Sequence, residues 1–385
     1  MKLFDVYPLF SIEPVKAQGS WLWDKEGNKY LDLYGGHAVI SIGHSHPHYV
    51  ETIKNQLDKI SFYSNSVQNS LQEELAERLG RISGYPDYQL FLCSSGAEAN
   101  ENALKLASFV TGRKKVIAFK KSFHGRTSGA VAATDNPKIV SPYNASHEIK
   151  FVPFNDEAAF NEAINKDVAA VIIEGIQGVG GIQVPNDSFL QLLSKKCKEV
   201  GTLLILDEVQ SGYGRTGKFF AHEFSGIKPD VITTAKGMGN GFPVGGVLIH
   251  PDIKPWHGML GTTFGGSHLA CAAAIAVLEV IEKENLIKNS ETLGNYWTEN
   301  LKKFSPITQI RGRGLMIGFD LPDTFSGLRK DLLFKHHIFT GEAKPNTIRL
   351  LPSMAMKKEE ADMLLQAISQ EMAAHRIHQS DANLV

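Results

Sequence analysis

The chain has few cysteines, almost no net charge and no long apolar run, and each shortage excludes a class. Only Cys93, Cys197 and Cys271 occur in 385 residues. They are too widely spaced for a metal motif, and an odd number cannot all pair. This points to a reducing, cytoplasmic compartment rather than a disulfide scaffold. Forty Lys and Arg face 41 Asp and Glu, a net charge of −1. That leaves no electrostatic footing for nucleic acid or an anionic membrane. No stretch approaches the roughly 20 apolar residues of a membrane span. The opening MKLFDVYPLFSIEPVKAQG lacks the apolar core and cleavage pattern of a secretory leader. Repeats and low-complexity segments are missing too. What is present is an ordinary globular composition, 43% hydrophobic and 21% charged, in a chain longer than one ordinary domain.

The patterning is α/β. Trp21–Trp23 and Lys29–Leu33 flank the polar turn Asp24-Lys25-Glu26-Gly27-Asn28 and read as a hairpin. From Gln89 to Ile249 short apolar runs alternate with helical segments, which predicts a doubly wound, mostly parallel sheet. A late strand lies at Thr347–Pro352 and an amphipathic helix from Lys357 to about His375. The last ten residues read as a solvated tail.

Chemistry concentrates in Leu203–Gly246. One apolar run, Leu203–Leu206, ends in Asp207-Glu208. A second, Val231-Ile232, ends in Thr233-Thr234-Ala235-Lys236 before a glycine-studded run. Parallel sheets carry their chemistry at the carboxyl ends of strands, so Asp207 and Lys236 are expected at one rim. A lysine wedged there is partly desolvated. Its pKa falls, and it becomes a candidate Schiff-base nucleophile. Pyridoxal phosphate needs such a lysine and an acid to keep its ring nitrogen protonated. Taken singly, the carboxylate also reads as a turn residue and the lysine as a loop charge.

Other segments carry two readings each. Ser94-Ser95-Gly96-Ala97 joins a strand to a helix and is either an anion-binding helix start or a plain serine cap. In Ser122-Phe123-His124-Gly125-Arg126, the aromatic ring suits a flat cofactor and the arginine a substrate carboxylate. Both equally suit packing and surface. His44, His46 and His48 suggest zinc, but no Asp, Glu or Cys stands at a matching spacing. A turn into the following helix is preferred, and no metal is expected.

Together SSGAEANENALKLA, SFHGRT, DEVQSGYGRTG, TTAKGMGNGFPVGG and GTTFGG resemble the class III (subgroup II) pyridoxal-phosphate-dependent aminotransferases, and among them the acetylornithine branch. The resemblance runs from Trp21 to Pro352. It implies the fold-type I homodimer with active sites shared between subunits. Residues 1–47 then join the small α+β domain, 48–255 form the large cofactor domain, and 256–385 supply an interface loop, a linking helix and the rest of the small domain. It implies Lys236 as the Schiff-base lysine, Asp207 on the pyridine nitrogen, Val209 and Phe123 on the two ring faces, and Gln210 near the phenolic oxygen. The backbone of Ser95, Gly96 and Ala97 would hold the phosphate, with Thr263 from the partner subunit. Arg126 would bind the donor's α-carboxylate, Thr262 would line the site, and Arg349 would take the α-carboxylate of glutamate or 2-oxoglutarate. The implied reaction moves the terminal amino group of an N-acyl-ornithine, N-acetylornithine first, to 2-oxoglutarate in arginine biosynthesis. N-succinylornithine, ornithine or 4-aminobutyrate are alternative donors, and an aminomutase is a further alternative within the family. From other classes, a metal-dependent hydrolase using His44, His46, Asp207 and Glu208 leaves Lys236 unexplained, and a non-catalytic binding protein would normally have lost it.

The chain departs from the family pattern in places. Gly175 replaces a proline and Val179 a glutamate that pairs with the arginine matching Arg349. Ala97 replaces threonine, Phe264 tyrosine, and Ser267-His268 an Asn-Pro pair. With Val179, Arg349 is expected either to stay open or to be neutralised by another carboxylate, such as one on an N-succinyl substrate.

Overall fold

Short, wholly apolar strands build the centre of the molecule, seen in a computed structural model that describes residues 1–382. Seven strands lie in the order Gln89–Cys93, Gly245–Ile249, Val231–Thr234, Leu203–Asp207, Val168–Glu174, Lys115–Phe119, Ile149–Val152. Gly245–Ile249 runs antiparallel to both neighbours, and the other pairs are parallel. Alternate side chains feed two cores, as period-two geometry requires. Val116, Ala118, Ala170, Ile172 and Ile205 meet the helix Gly96–Thr111 on one face. Ile117, Phe119, Val171, Ile173, Leu204 and Leu206 meet Phe160 and the helix Asp187–Val200 on the other. Burial on both faces is why these strands read as continuous apolar runs.

The alanine-rich helix His268–Lys283 packs on helices Pro47–Leu57 and Ser70–Ser83 in a further core. Two four-stranded sheets complete the fold. One joins Pro14–Gln18, Trp21–Asp24 and Lys29–Asp32 to the late strand Ile338–Phe339. The other comprises Thr308–Arg313, Met316–Asp320, Thr347–Leu350 and Gly341–Ala343. The expected hairpin is present, with Trp21 opposite Leu31. The expected tail is corrected: the last helix runs Lys358–Ala382, because no proline or glycine interrupts that stretch. Residues 383–385 lie outside the described residues.

Arg215, from the GYGRTG motif, ties distant segments together. Its guanidinium is buried and donates to the carbonyls of Pro352 at 2.7 Å, Leu315 at 3.1 Å and Ile40 at 3.4 Å. Burial pushes its pKa down to about 10, and Asp32 opposes that shift. Three carbonyls from three segments therefore depend on one cation. Arg215→Met is expected to lower the unfolding free energy by about 2–4 kcal/mol, since each orphaned buried acceptor costs about 1–3 kcal/mol and loss of the buried charge offsets part. A urea titration of both proteins checks this.

Candidate active site

The strands Leu203–Asp207 and Val231–Thr234 are parallel neighbours, so their carboxyl ends open on the same side. A cleft of about 370 Å³ lies there. Nine predicted residues line it: Ser95, Gly96, Ala97, Phe123, Arg126, Asp207, Val209, Gln210 and Lys236.

Asp207 is buried and held from several directions. Asn100 Nδ2 and His124 Nδ1 each reach its Oδ2 at 2.7 Å, and the Val209 N–H donates to Oδ1 at 3.0 Å. Thr233 Oγ1 donates to Asn100 Oδ1 at 2.6 Å, and Asn100 Nδ2 also donates to the His124 carbonyl at 2.8 Å. These bonds fix which end of the amide faces Asp207. An ionised carboxylate only accepts, so Nδ1 of His124 carries the hydrogen. His124 Nε2 is buried at the cleft without a protein partner.

Lys236 is half-buried and left-handed, with φ +44°. Such a backbone persists in a non-glycine residue only where its surroundings impose it. Here Ser41 Oγ donates to the Gly237 carbonyl at 2.7 Å, and Tyr49 Oη donates to the Gly239 carbonyl at 2.7 Å. Asn240 Oδ1 accepts the N–H groups of Ser41 and Ile42. Gly239 admits no side chain, since a Cβ would stand 2.1 Å from the Phe242 carbonyl oxygen. The glycine run is therefore the tight turn that presents the lysine. Burial lowers the Lys236 pKa, with Arg349 and Arg215 adding to the shift and Asp207 and Glu174 opposing it.

At the start of helix Gly96–Thr111, Ser95 Oγ accepts the Glu98 N–H and Glu98 accepts the Ser94 N–H. Among the described residues, no protein acceptor meets the N–H groups of Ser95, Gly96 and Ala97. Three free donors at a helix N-terminus favour an anion. Gly96 lies close to Val209, where a Cβ would come within 2.5 Å of Cγ1.

Three predicted residues do not line the cleft. Thr262 is half-buried, its Oγ1 accepting the Gly265 N–H, and Thr263 is exposed. Arg349 is 6% exposed. It donates to the carbonyls of Glu342 at 2.8 Å and Gly178 at 3.0 Å, with Tyr34 Oη at 3.5 Å. No carboxylate among the described residues forms a salt bridge with it, and Val179 follows Gly178 in the chain. Burial lowers its pKa, and Arg329 adds to that, while Tyr34 and Glu342 oppose it.

The histidine cluster separates. His44 pairs with Asp32, His46 with Glu284 and His48 with Glu279. Glu208 is buried against His222 at 2.7 Å, while Asp207 faces His124. The four groups of the hydrolase alternative assemble no common site. Sequence reading missed Asn100, His124, Thr233 and Glu174. The first three lay inside the quoted motifs, so asking which polar residues flank each strand end would have raised them.

A family model described as aminotransferase class-III matches residues 5–372. The chain belongs to this family. The acetylornithine aminotransferase of Archaeoglobus fulgidus is 40% identical over 90% of this chain and 92% of its own length. That of Bacillus subtilis is 40% identical over 97% and 98%. Among solved structures, the ornithine aminotransferase of Toxoplasma gondii superposes with a TM-score of 0.89 at 27% identity, over 97% of this chain and 92% of that one. Its description reports partial occupancy of PLP at the active site.

Two departures of this aminotransferase now have physical reasons. Ser267 caps helix His268–Lys283, its Oγ accepting the Ala270 N–H at 3.3 Å, so the start signal survives the loss of Asn-Pro. Gly175 donates its N–H to the Asp207 carbonyl at 3.0 Å. A Cβ there would stand 2.6 and 2.7 Å from the Glu208 carboxylate oxygens. That carboxylate is fixed by Ser211, Ala221 and His222 and cannot yield. Gly175→Pro is therefore expected to cost about 2–4 kcal/mol through a lost donor and overpacking. The denaturant midpoint of the variant checks it.

Proposed function

We propose that this aminotransferase binds pyridoxal 5′-phosphate in the cleft and moves the terminal amino group of an N-acyl-ornithine, N-acetylornithine first, to 2-oxoglutarate. The observation that carries the reading is the pairing of a desolvated Lys236 with a clamped Asp207 in one cleft, beside three free N–H groups. The donor set fits the cofactor: an anion site for its phosphate, a buried carboxylate for its ring nitrogen and a low-pKa amine for its aldehyde. The acyl-ornithine assignment rests on the curated relatives at 40% identity over nearly their full lengths.

Bound there, pyridoxal phosphate supplies an electron sink when a proton leaves the carbon bearing the substrate's amino group. Asp207, kept accepting by Asn100 and His124, would hold the cofactor's ring nitrogen in its protonated form, and Phe123 and Val209 would flank the ring. Lys236, its pKa lowered by burial, would carry the proton that leaves the substrate carbon. Arg126, exposed at the cleft, receives the donor's α-carboxylate, and Arg349 that of 2-oxoglutarate. Two substrates that use one site in turn give ping-pong kinetics. Thr263 is assigned to the partner's site in a homodimer. Its own surroundings support a contact surface, since the exposed rings of Phe264 and Phe62 pair at 5.3 Å.

N-succinylornithine is the second reading. Arg349 lacks a carboxylate partner, and a succinyl group would bring one. The test is an absorbance titration of the cofactor-loaded protein with each donor. N-acetylornithine is expected to bleach the visible band and 2-oxoglutarate to restore it. A band that answers only to ornithine or 4-aminobutyrate replaces the substrate, and a protein that forms no band sinks the cofactor assignment.

Val179→Glu puts a carboxylate one residue from the carbonyl that holds Arg349. The KM for 2-oxoglutarate should rise about tenfold, or about 1.4 kcal/mol, by internal competition. An unchanged ratio of N-succinyl- to N-acetylornithine activity in the same variant removes the support for the second reading.

A further inference from the structure

Glu174 is a buried carboxylate at the cleft that the reaction above does not use. It ends the strand Val168–Glu174 directly across the ladder from Asp207. Among the described residues it has no cationic side chain in salt-bridge contact, and each of its oxygens accepts one backbone N–H. Oε1 takes Phe123 at 3.0 Å and Oε2 takes Gly178 at 3.1 Å. Those two residues belong to different loops. The Phe123 loop carries the ring assigned to the cofactor face. Gly178 uses its other side on Arg349, its carbonyl accepting Nη1 at 3.0 Å. Gly178 is restrained further by its carbonyl, which also accepts the Gly181 N–H at 3.1 Å. One carboxylate thus bridges the cofactor face and, across a single residue, the guanidinium.

We propose that Glu174 is a positioning residue whose ionised carboxylate holds Phe123 and, through Gly178, Arg349 in register for the dicarboxylate acceptor. This rests on the assignment of Arg349 to 2-oxoglutarate given above. An ionised carboxylate accepts two N–H bonds strongly, whereas a protonated one turns one oxygen into a donor aimed at an N–H. Protonation therefore frees one of the two loops. The groups facing Glu174 are His124, Asp207 and Lys236. Burial raises the Glu174 pKa to about 7. Asp207 adds to the shift, and His124 and the two N–H bonds oppose it. The switch then falls within the working range of an enzyme.

The sign for stability follows by linkage. A carboxyl raised from an ordinary value of 4.5 to about 7 binds its proton more tightly in the folded chain. Its contribution is complete below the unfolded value and is lost as pH rises through the folded one.

The test is Glu174→Gln in the full, cofactor-loaded chain, with kinetics and denaturant unfolding followed from about pH 6 to 8. In the unmodified protein kcat/KM for 2-oxoglutarate should fall as pH drops below about 7. Glutamine keeps one acceptor but cannot serve both N–H groups. The variant should therefore lose that acid limb and show a KM for 2-oxoglutarate raised about fivefold at the upper end, with a smaller change in KM for the donor. Its unfolding midpoint relative to the unmodified protein should shift upward as pH rises, a readout independent of activity. An unmodified profile without an acid limb overturns the proposal. So does a limb that persists in Glu174→Gln, or an acceptor KM that stays put. Arg349→Gln serves as the separate control. If it leaves the acceptor KM unchanged, the reading of Arg349 fails and takes this inference with it, whereas the other outcomes bear on Glu174 alone.

Discussion

Everything at the cleft depends on bringing a carboxylate and an amine to one rim of the sheet and drawing both away from water. Asp207 and Lys236 follow adjacent parallel strands, so the sheet delivers both to one edge. Burying either charge alone is expensive, and the structure offsets the cost differently for each. Asp207 receives donors from an amide, an imidazole and a backbone N–H. Lys236 lowers its pKa instead. A carboxylate held by hydrogen-bond donors and an amine whose hold on its proton burial weakens are complementary groups for moving a proton.

The shells around these two residues come from far along the chain. Asn100 and His124 lie 107 and 83 residues from Asp207, and Ser41 lies 196 from Gly237. Arg215 performs the same service on a larger scale, closing three carbonyls from three segments around one guanidinium. Much of what looks like a catalytic signature in GYGRTG and KGMGNG is therefore scaffolding. Its glycines and arginine shape the turn and fasten distant segments around the cleft.

This explains what was legible in the sequence. Strand ends were legible because burial on both faces writes continuous apolar runs, and the first polar residue after each run marks the rim. Asp207 followed from that, and Lys236 from its place between the end of the next run and the glycines. Asn100, His124 and Glu174 did not, because their roles lie in pairings between distant segments and a carboxylate or amide looks the same whatever it meets. The terminal helix through residues 376–382 was missed for a simpler reason: polar composition was read as solvation, and the lack of a breaker was not weighed. Gly175 and Ser267 depart from the family pattern. The structure gives one a hydrogen bond and a wall, and the other a cap.

Val179 is different in kind, because no wall or cap accounts for it. Its side chain lines the cleft and is 49% exposed, so packing does not demand valine. What the substitution changes is the company of Arg349. A guanidinium 6% exposed, with two carbonyls and a phenolic oxygen as its partners, makes no salt bridge to any carboxylate among the described residues, although Glu342 acts on it from a distance. Neutral acceptors satisfy its donors without cancelling its field, and removal from water strengthens that field. The same Gly178 that supplies one of those carbonyls is held from its other side by Glu174. The chain thus lacks a carboxylate beside the guanidinium but keeps one a single residue further back. That arrangement leaves Arg349 open to an incoming acid while the backbone still feels a buried negative charge.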